Sequence, residues 1–411
     1  MKITESIFPT LVFPGYFVYH LARPHVMPPN TGIGWFSLAV LAAVAYYGIR
    51  DLYRLLIGQK VTVRSLAISA PFYLLIFVMV ATVAMNHLSH DTPYINGEGL
   101  LFSIQNIVFM VGFYKIGANI HRMQRWRSPG QFAVMTGIYA LATFAYFDTQ
   151  SGTMIIPFGA GEDLDQAYAL TANYQGMARS VLYTGLLVIP FIESRDLKIA
   201  MMVVYAAMLY FIGSRTDFLL FAAVFPLFIL VNFSTVVRVG ASVGMALLVV
   251  ALMLFWEGGD RFSTANAAES LSERAKYLEA GWNAIMQNPL IGDYLGQIRD
   301  FGNVGTYIHN GLSMWSQFGL AAFVIFCYLI LAPFVLLGPA FLQRRKGEVE
   351  MLLYLAATAL IGIAAARAIT WPMPAMAWGA AVALLSRKSV RIASSKPVEQ
   401  RAPGPELVTQ D

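Results

Sequence analysis

The chain has 411 residues, 57% of them hydrophobic and only 12% charged, with a net charge of +5. An ordinary soluble domain carries about 25% charged residues; a packed core does not demand so few, whereas a bilayer does. Many apolar runs approach the ~20 residues a helix needs to cross hydrocarbon. Their continuity argues against a membrane β-barrel, whose strands alternate. The composition predicts an all-α polytopic membrane protein.

Taken in order, twelve candidate spans fall near 7–22, 33–49, 66–88, 99–120, 131–147, 177–193, 197–213, 217–233, 237–256, 310–341, 351–369 and 375–386. The first is interrupted by proline and lacks a small-residue cleavage site, so it is expected to be a retained span rather than a signal peptide. The single cysteine, Cys327, lies inside an apolar run and can form no internal disulfide.

Orientation follows from the bias of Lys and Arg toward cytoplasmic loops. Arg50, Arg54, Lys60 and Arg64 mark one such loop, and Lys115, Arg122, Arg125 and Arg127 mark the next but one. Arg195 with Lys198, then Arg238, then Arg344, Arg345 and Lys346, and finally the tail from Arg387, fall on the same side. Alternation through twelve spans places both termini in the cytoplasm. Residues 1–386 are read as one transmembrane domain with two large outer loops, 148–176 and 257–309. Residues 387–411, rich in Ser, Pro and charge, are expected to be a disordered cytoplasmic tail.

The outer face holds the candidate chemistry. Arg215 sits in the turn Gly213-Ser214-Arg215-Thr216-Asp217, on the face where positive charge is otherwise avoided. It can snorkel to the interface, pair with Asp217, or grip a phosphate with its bidentate fork. In the second loop, 270–288 reads as an amphipathic helix: Ser270 and Glu273 form a capping box, and Pro289 supplies the stop. Leu271, Ala275, Leu278, Trp282 and Ile285 share a stripe, which suits a helix lying along the membrane surface. Arg274 borders that stripe by about 60° at 3.6 residues per turn, toward the headgroups, unless it is simply a solvated surface residue.

His309 opens the tenth span, after Tyr307-Ile308 and before Asn310-Gly311. A neutral imidazole there can accept a proton near pH 7, or can be an interfacial ring satisfied by backbone. Arg367, near the outer end of the eleventh span beside Trp371, is a third cation for the same face. Tyr174 and Gln175 offer contacts to sugar. The acidic Glu162, Asp163 and Asp165 could take a cation or sugar hydroxyls, though a solvated loop explains them equally. His87, His90 and Asp91 stand without a second cluster at ligand spacing, so no metal is assigned. There is no Gly-rich nucleotide loop and no nucleophile elbow, and nothing points to nucleic acid.

In combination these pieces resemble the O-antigen ligase/polymerase superfamily of bacterial envelope glycosyltransferases. The resemblance rests on Gly213-Ser214-Arg215, on Ser272-Glu273-Arg274, and on Trp282 with Asn288-Pro289-Leu290-Ile291-Gly292. It continues through His309-Asn310 and Gly319-Leu320, covering about 200–340 in detail and the rest in topology. One departure is that Gly292 is followed by Asp293-Tyr294 where the family often repeats a glycine.

The resemblance implies a GT-C-like membrane fold with a periplasmic helical loop before the tenth span, in the bacterial inner membrane. It implies a metal-independent, cofactor-free transfer of a glycan from a polyprenyl-pyrophosphate donor to an acceptor hydroxyl. Arg215 and Arg274 would hold the pyrophosphate, and His309 would orient or deprotonate the acceptor. Arg367, Tyr174, Gln175, Asn310 and Asp293 would lie against substrate.

The acceptor separates the alternatives. A ligase receives phosphorylated lipid A-core; an O-antigen or exopolysaccharide polymerase receives another lipid-linked repeat and can work with a chain-length regulator. The acidic residues Glu257, Asp260, Glu269, Glu273, Glu279, Asp293 and Asp300 outnumber the basic Arg261, Arg274, Lys276 and Arg299. Such a face repels a polyanionic acceptor and favours the polymerase. A lipid-linked glycan transporter would show charges through several spans and broken inverted repeats. A bare scaffold would leave Arg215, Arg274 and His309 together without a purpose.

Overall fold

The computed structural model describes residues 4–26, 35–57, 63–89, 98–122, 128–149, 152–155, 164–233, 264–302, 308–343, 346–365 and 367–386. The protein is all-α and membrane-embedded. Among the described residues, five helices are long and apolar enough to cross a bilayer: Val63–Leu88, Gly99–Ala118, Arg215–Asn232, Leu312–Leu342 and Glu348–Ala365. Exposed apolar side chains such as Phe77, Leu141 and Val335 form the outer surface that a lipid environment requires. The expected ninth span, 237–256, and the tail 387–411 lie outside the described residues.

In chain order the helices are α1 (Thr4–Val12), α2 (Pro14–Val26), α3 (Trp35–Leu56), α4 (Val63–Ser89), α5 (Glu98–Ala118), α6 (Pro129–Ala145), α7 (Leu164–Val188) and α8 (Arg195–Ile212). Then follow α9 (Arg215–Ala222), α10 (Phe225–Asn232), α11 (Thr264–Gln287), α12 (Gly296–Phe301), α13 (Leu312–Leu342), α14 (Glu348–Ala365) and α15 (Met373–Leu385). The first expected span is two helices, divided just before Pro14. The eighth is two short helices with Pro226 opening the second, as a residue without an N–H does best in a first turn. A two-residue antiparallel pair, Phe147–Asp148 with Thr153–Met154, follows α6.

The interior is built on α5, α15 and α14. Helices α5 and α15 meet at glycines: a Cβ on Gly379 would stand 2.0 Å from the Tyr114 carbonyl oxygen, and one on Gly117 would stand 2.2 Å from that of Met376. Small residues allow this backbone approach, the usual basis of helix contact where lipid removes the hydrophobic drive. Trp378 is buried here between Phe72 and Phe326.

Two sets of charges used above to mark loops are instead held inside helix packing. Lys198 is 1% exposed and bonds the buried Glu350 at 2.9 Å; the other Glu350 oxygen accepts from Asn232 and Tyr354. This pair ties α8, α10 and α14 at one end. Lys115 bonds Asp51 at 2.7 Å, and Arg50 donates to Asn119, joining α3 to α5. A lysine with a dedicated carboxylate survives at depth, which a count of loop charges cannot foresee.

The outer loops are also more helical than expected. Helix α7 begins at Leu164, so Tyr174 and Gln175 stand on a helix rather than in a loop. Helix α11 begins at Thr264; the expected capping box at Ser270 lies inside it, because the Ala-rich run before Ser270 continues the helix.

Candidate functional site

Side chains from five parts of the chain meet at one end of the bundle. They are Tyr174 on α7, Arg215 at the head of α9, Arg274 on α11, His309 before α13, and Arg367 after α14. The charges of Arg367 and Arg215 and the Tyr174 phenol all act on Arg274, and those of Arg274 and Arg367 act on His309. The sequence assigned these groups to one face, and the fold brings them into one site.

The turn before α9 is set by Gly213, which ends α8 in the left-handed region at φ 84°. Ser214 follows it, and its hydroxyl donates to Asp217 at 2.7 Å. The other Asp217 oxygen accepts from Arg367 at 2.6 Å. Asp217 is fully buried and the Arg367 side chain is 11% exposed, so each offsets the other's desolvation. Arg367 also lies 5.8 Å from the Trp371 ring.

Arg215 forms no ion pair with Asp217, whose partner is Arg367, so the reading in which those two pair is not the one the fold adopts. Arg215 is instead the half-buried first residue of α9, where the helix dipole already presents positive charge. That position is unfavourable for a cation unless an anion binds there. Among the described residues neither Arg215 nor Arg274 has a carboxylate partner. Burial lowers the Arg274 pKa, and the charges of Arg367 and Arg215 lower it further. Among the described residues, Arg215 and Arg274 stand without a carboxylate while Asp217 offsets Arg367, an excess of positive charge that complements a pyrophosphate.

His309 is half-buried beside this group, its ring 6.2 Å from that of Tyr277. Burial, then Arg274, then Arg367 depress its pKa to about 4. At neutral pH it is an uncharged imidazole, able to accept a proton or orient a hydroxyl.

Helix α11 reaches the site through contacts that the sequence motifs explain. Its inward face carries Arg274, Tyr277, Gly281 and Ala284, with Ile308 lying against Gly281. Of the expected apolar stripe the Leu271 side chain lies outside the described residues; among the rest Ile285 is buried and Ala275, Leu278 and Trp282 are exposed, with Met286, Leu290 and Ile291 beyond them. The stripe therefore faces away from the bundle.

The segment Asn288–Gly292 then locks against a break in α13 at Gly319, whose φ is 79° and ψ 179°. A Cβ there would lie 2.1 Å from the Leu290 carbonyl oxygen. The Pro289 carbonyl accepts from the Leu320 N–H at 3.1 Å and the Trp315 indole at 2.8 Å, so it satisfies an amide that the break exposes. On the other side, the Gly311 N–H donates to the Ile363 carbonyl at 2.8 Å and the Ile369 N–H to the Ser313 hydroxyl at 3.1 Å. His309 is thereby fixed to the loop carrying Arg367.

The remaining candidates are placed differently. The Asn310 side-chain oxygen accepts from the Leu312 N–H at 2.9 Å, capping α13. Gln175 donates to the Tyr174 hydroxyl at 3.4 Å. Asp293 is gripped by two nitrogens of Arg299, the shorter at 2.7 Å, and is not among the charges acting on His309 or Arg274. Tyr294, where the family pattern departs, is buried and donates to Ser103 on α5. Glu162, Asp163, His90 and Asp91 lie outside the described residues, as does the side chain of Asp165. Among the described residues no three His, Cys, Asp or Glu side chains group as a metal site.

Two relevant residues escaped the sequence reading. Arg179, one turn beyond Gln175 on α7, acts with Asp217 and Arg367 on the Tyr183 phenol; an arginine just inside a span's outer end was the available signal. Tyr277 stands three residues from Arg274, on the same helical face. No family model matches the chain, and no curated protein matches it either.

Proposed function

We propose that the protein is a membrane glycosyltransferase that polymerises a polyprenyl-pyrophosphate-linked oligosaccharide, as an O-antigen or exopolysaccharide polymerase. On this reading it belongs with the O-antigen ligase/polymerase superfamily and crosses a bacterial inner membrane twelve times. Both termini are cytoplasmic and the Arg215–Arg274–His309 site opens to the periplasm. The observation that carries the reading is the convergence of Arg215 and Arg274, neither held by a carboxylate among the described residues, beside a neutral His309. The exposed apolar side of α11 suits a helix resting on the membrane, where a lipid-linked donor presents its headgroup.

Arg215 and Arg274 bind the donor's pyrophosphate and stabilise the charge that grows as it leaves. Arg367, neutralised by Asp217, supports the geometry rather than adding net charge. The acceptor hydroxyl lies against the His309 imidazole. As its oxygen forms a bond to the sugar's anomeric carbon, its proton passes to His309 and the bond to the pyrophosphate oxygen breaks. The polyprenyl pyrophosphate departs with that electron pair. In-line displacement inverts the anomeric centre.

The exposed Glu273, Glu279 and Asp300 favour a sugar acceptor over phosphorylated lipid A-core. Reconstituted protein supplied with a lipid-pyrophosphate repeat unit should form a ladder without lipid A-core. A single transfer that requires lipid A-core would identify a ligase. Movement across the bilayer without transfer would identify a transporter.

A further inference from the structure

A shallow, solvent-open cleft lies between the inward face of α11, helix α12 and Ile308. Its floor is small, formed by Ala280, Gly281 and Ala284. One side is lined by Tyr277 and Phe301, packed edge to face with ring centroids 5.3 Å apart and planes at 84°. Polar groups rim it: Gln297, Asp293, Asp300 and Ser316. Tyr277 is shared with the site described above, because its other neighbour is His309 at 6.2 Å.

We infer that this cleft is a binding subsite for a neutral pyranose of the acceptor glycan, one that excludes uronic acids; the assignment to the acceptor rests on the function proposed above. The edge-to-face pair of Tyr277 and Phe301 beside a floor of small residues offers an aromatic surface to the apolar C–H face of a sugar ring. Planar amide and carboxylate groups at the rim meet its hydroxyls, the usual division of labour in a small-molecule site.

The charge of the rim selects the sugar. Arg299 donates to Asp293 at 2.7 Å and to Asp300 at 2.9 Å. One guanidinium thus holds two carboxylates, fixing their positions and leaving a net negative charge. Each carboxylate keeps lone pairs for hydroxyl donors, as its two oxygens offer about four acceptor sites. A uronate placed there meets like charge and, among the described lining residues, no cation, whereas a hexose or an N-acetylhexosamine carries no charge to repel. Position selects the acceptor. Tyr277 separates the cleft from His309, while Arg274, one turn back on α11, faces the cationic group that binds the donor.

The test uses the full chain in nanodiscs and saturation-transfer NMR with three free disaccharides: a neutral hexose, an N-acetylhexosamine and a uronic acid. At least one neutral probe should bind saturably and the uronate more weakly than it. Phe301→Ala should weaken the neutral probe by roughly tenfold, as truncation of an aromatic anchor does. Phe301 is 42% exposed, so its loss leaves the fold standing. Asp300→Asn should narrow the gap between neutral and uronate probes. No saturable binding by either neutral probe, equal or tighter uronate binding, or indifference to Phe301→Ala overturns the subsite.

Transfer assays separate the two claims. Turnover whose acceptor KM ignores Phe301→Ala and Gln297→Ala sinks the subsite and leaves the transferase. Phe301-dependent sugar binding without any turnover does the reverse.

Discussion

The Arg367 guanidinium lies 2.6 Å from the buried Asp217 carboxylate, at a separation of 150 residues in sequence. That pairing ties the loop after α14 to the turn before α9, and it engages the buried acid next to the cationic group. Arg215 is thereby left facing Arg274 with positive charge still to be balanced.

Asp217→Asn tests the pair. Loss of one partner strands a buried charge, at a cost of about 3–5 kcal/mol. The substitution should lower the thermal midpoint of the purified protein sharply, and Asp217→Asn with Arg367→Met should recover part of it. A midpoint unchanged by Asp217→Asn would mean the pair contributes nothing to the fold.

Arg215→Lys keeps the charge and removes the fork. If Arg215 grips a departing pyrophosphate, transfer should fall by about 10²-fold or more, the scale for removing one transition-state donor. The melting temperature should stay near that of the parent. A mild kinetic effect would return Arg215 to an interfacial, snorkelling role.

The pH dependence follows from His309. Its pKa of about 4 lies below the usual value because burial and the Arg274 and Arg367 charges disfavour the imidazolium. On the proposed mechanism the active form is the neutral ring, so activity should be present above that pKa and lost as pH falls through it. The acidic limb of kcat/KM, which reports the uncomplexed enzyme, should therefore lie near 4. A bound pyrophosphate offsets the arginine charge and raises the His309 pKa, so the limb of kcat should lie higher. Coincident limbs, or an acidic limb near 6.5 in kcat/KM, would contradict the assignment.

Gly319→Ala addresses the lock between the Asn288–Gly292 segment and α13. A Cβ would strike the Leu290 carbonyl and the backbone would be strained at φ 79°. The variant should lose most transfer activity while α5 and α15 remain packed, with accelerated hydrogen exchange confined to the Pro289–Gly292 turn and the adjoining half of α11. Parent-like exchange there would show that the break in α13 serves another purpose.

Much of this was legible in the sequence because it is written in local pattern. Runs of apolar residues located the long helices; Arg215, His309 and Arg367 announced themselves as polar groups at span ends, and Arg274 as the cation bordering the stripe of a loop helix. What was not legible is pairing at a distance. Asp217 looked like a neighbour for Arg215, since nothing local names Arg367 as its partner. Lys198 read as a loop charge, though Glu350 is 152 positions away and buried with it. The apolar stripe of α11, read as the side that lies on the membrane, is exposed as that reading requires, but the face that packs on the protein was not named by it. Hydrophobic periodicity finds the apolar side of a helix, and where the exterior can be lipid that side need not face the protein. The small face of Gly281 and Ala284 is the one that packs.

The most direct measurement is glycan transfer from a polyprenyl-pyrophosphate donor by His309→Ala protein in proteoliposomes, beside the parent and with donor binding followed in parallel. Loss of the group that takes the acceptor proton should cut turnover by about 10²–10⁴-fold while donor binding, carried by Arg215 and Arg274, persists. Turnover within a fewfold of the parent, with the donor equally bound, would contradict the account.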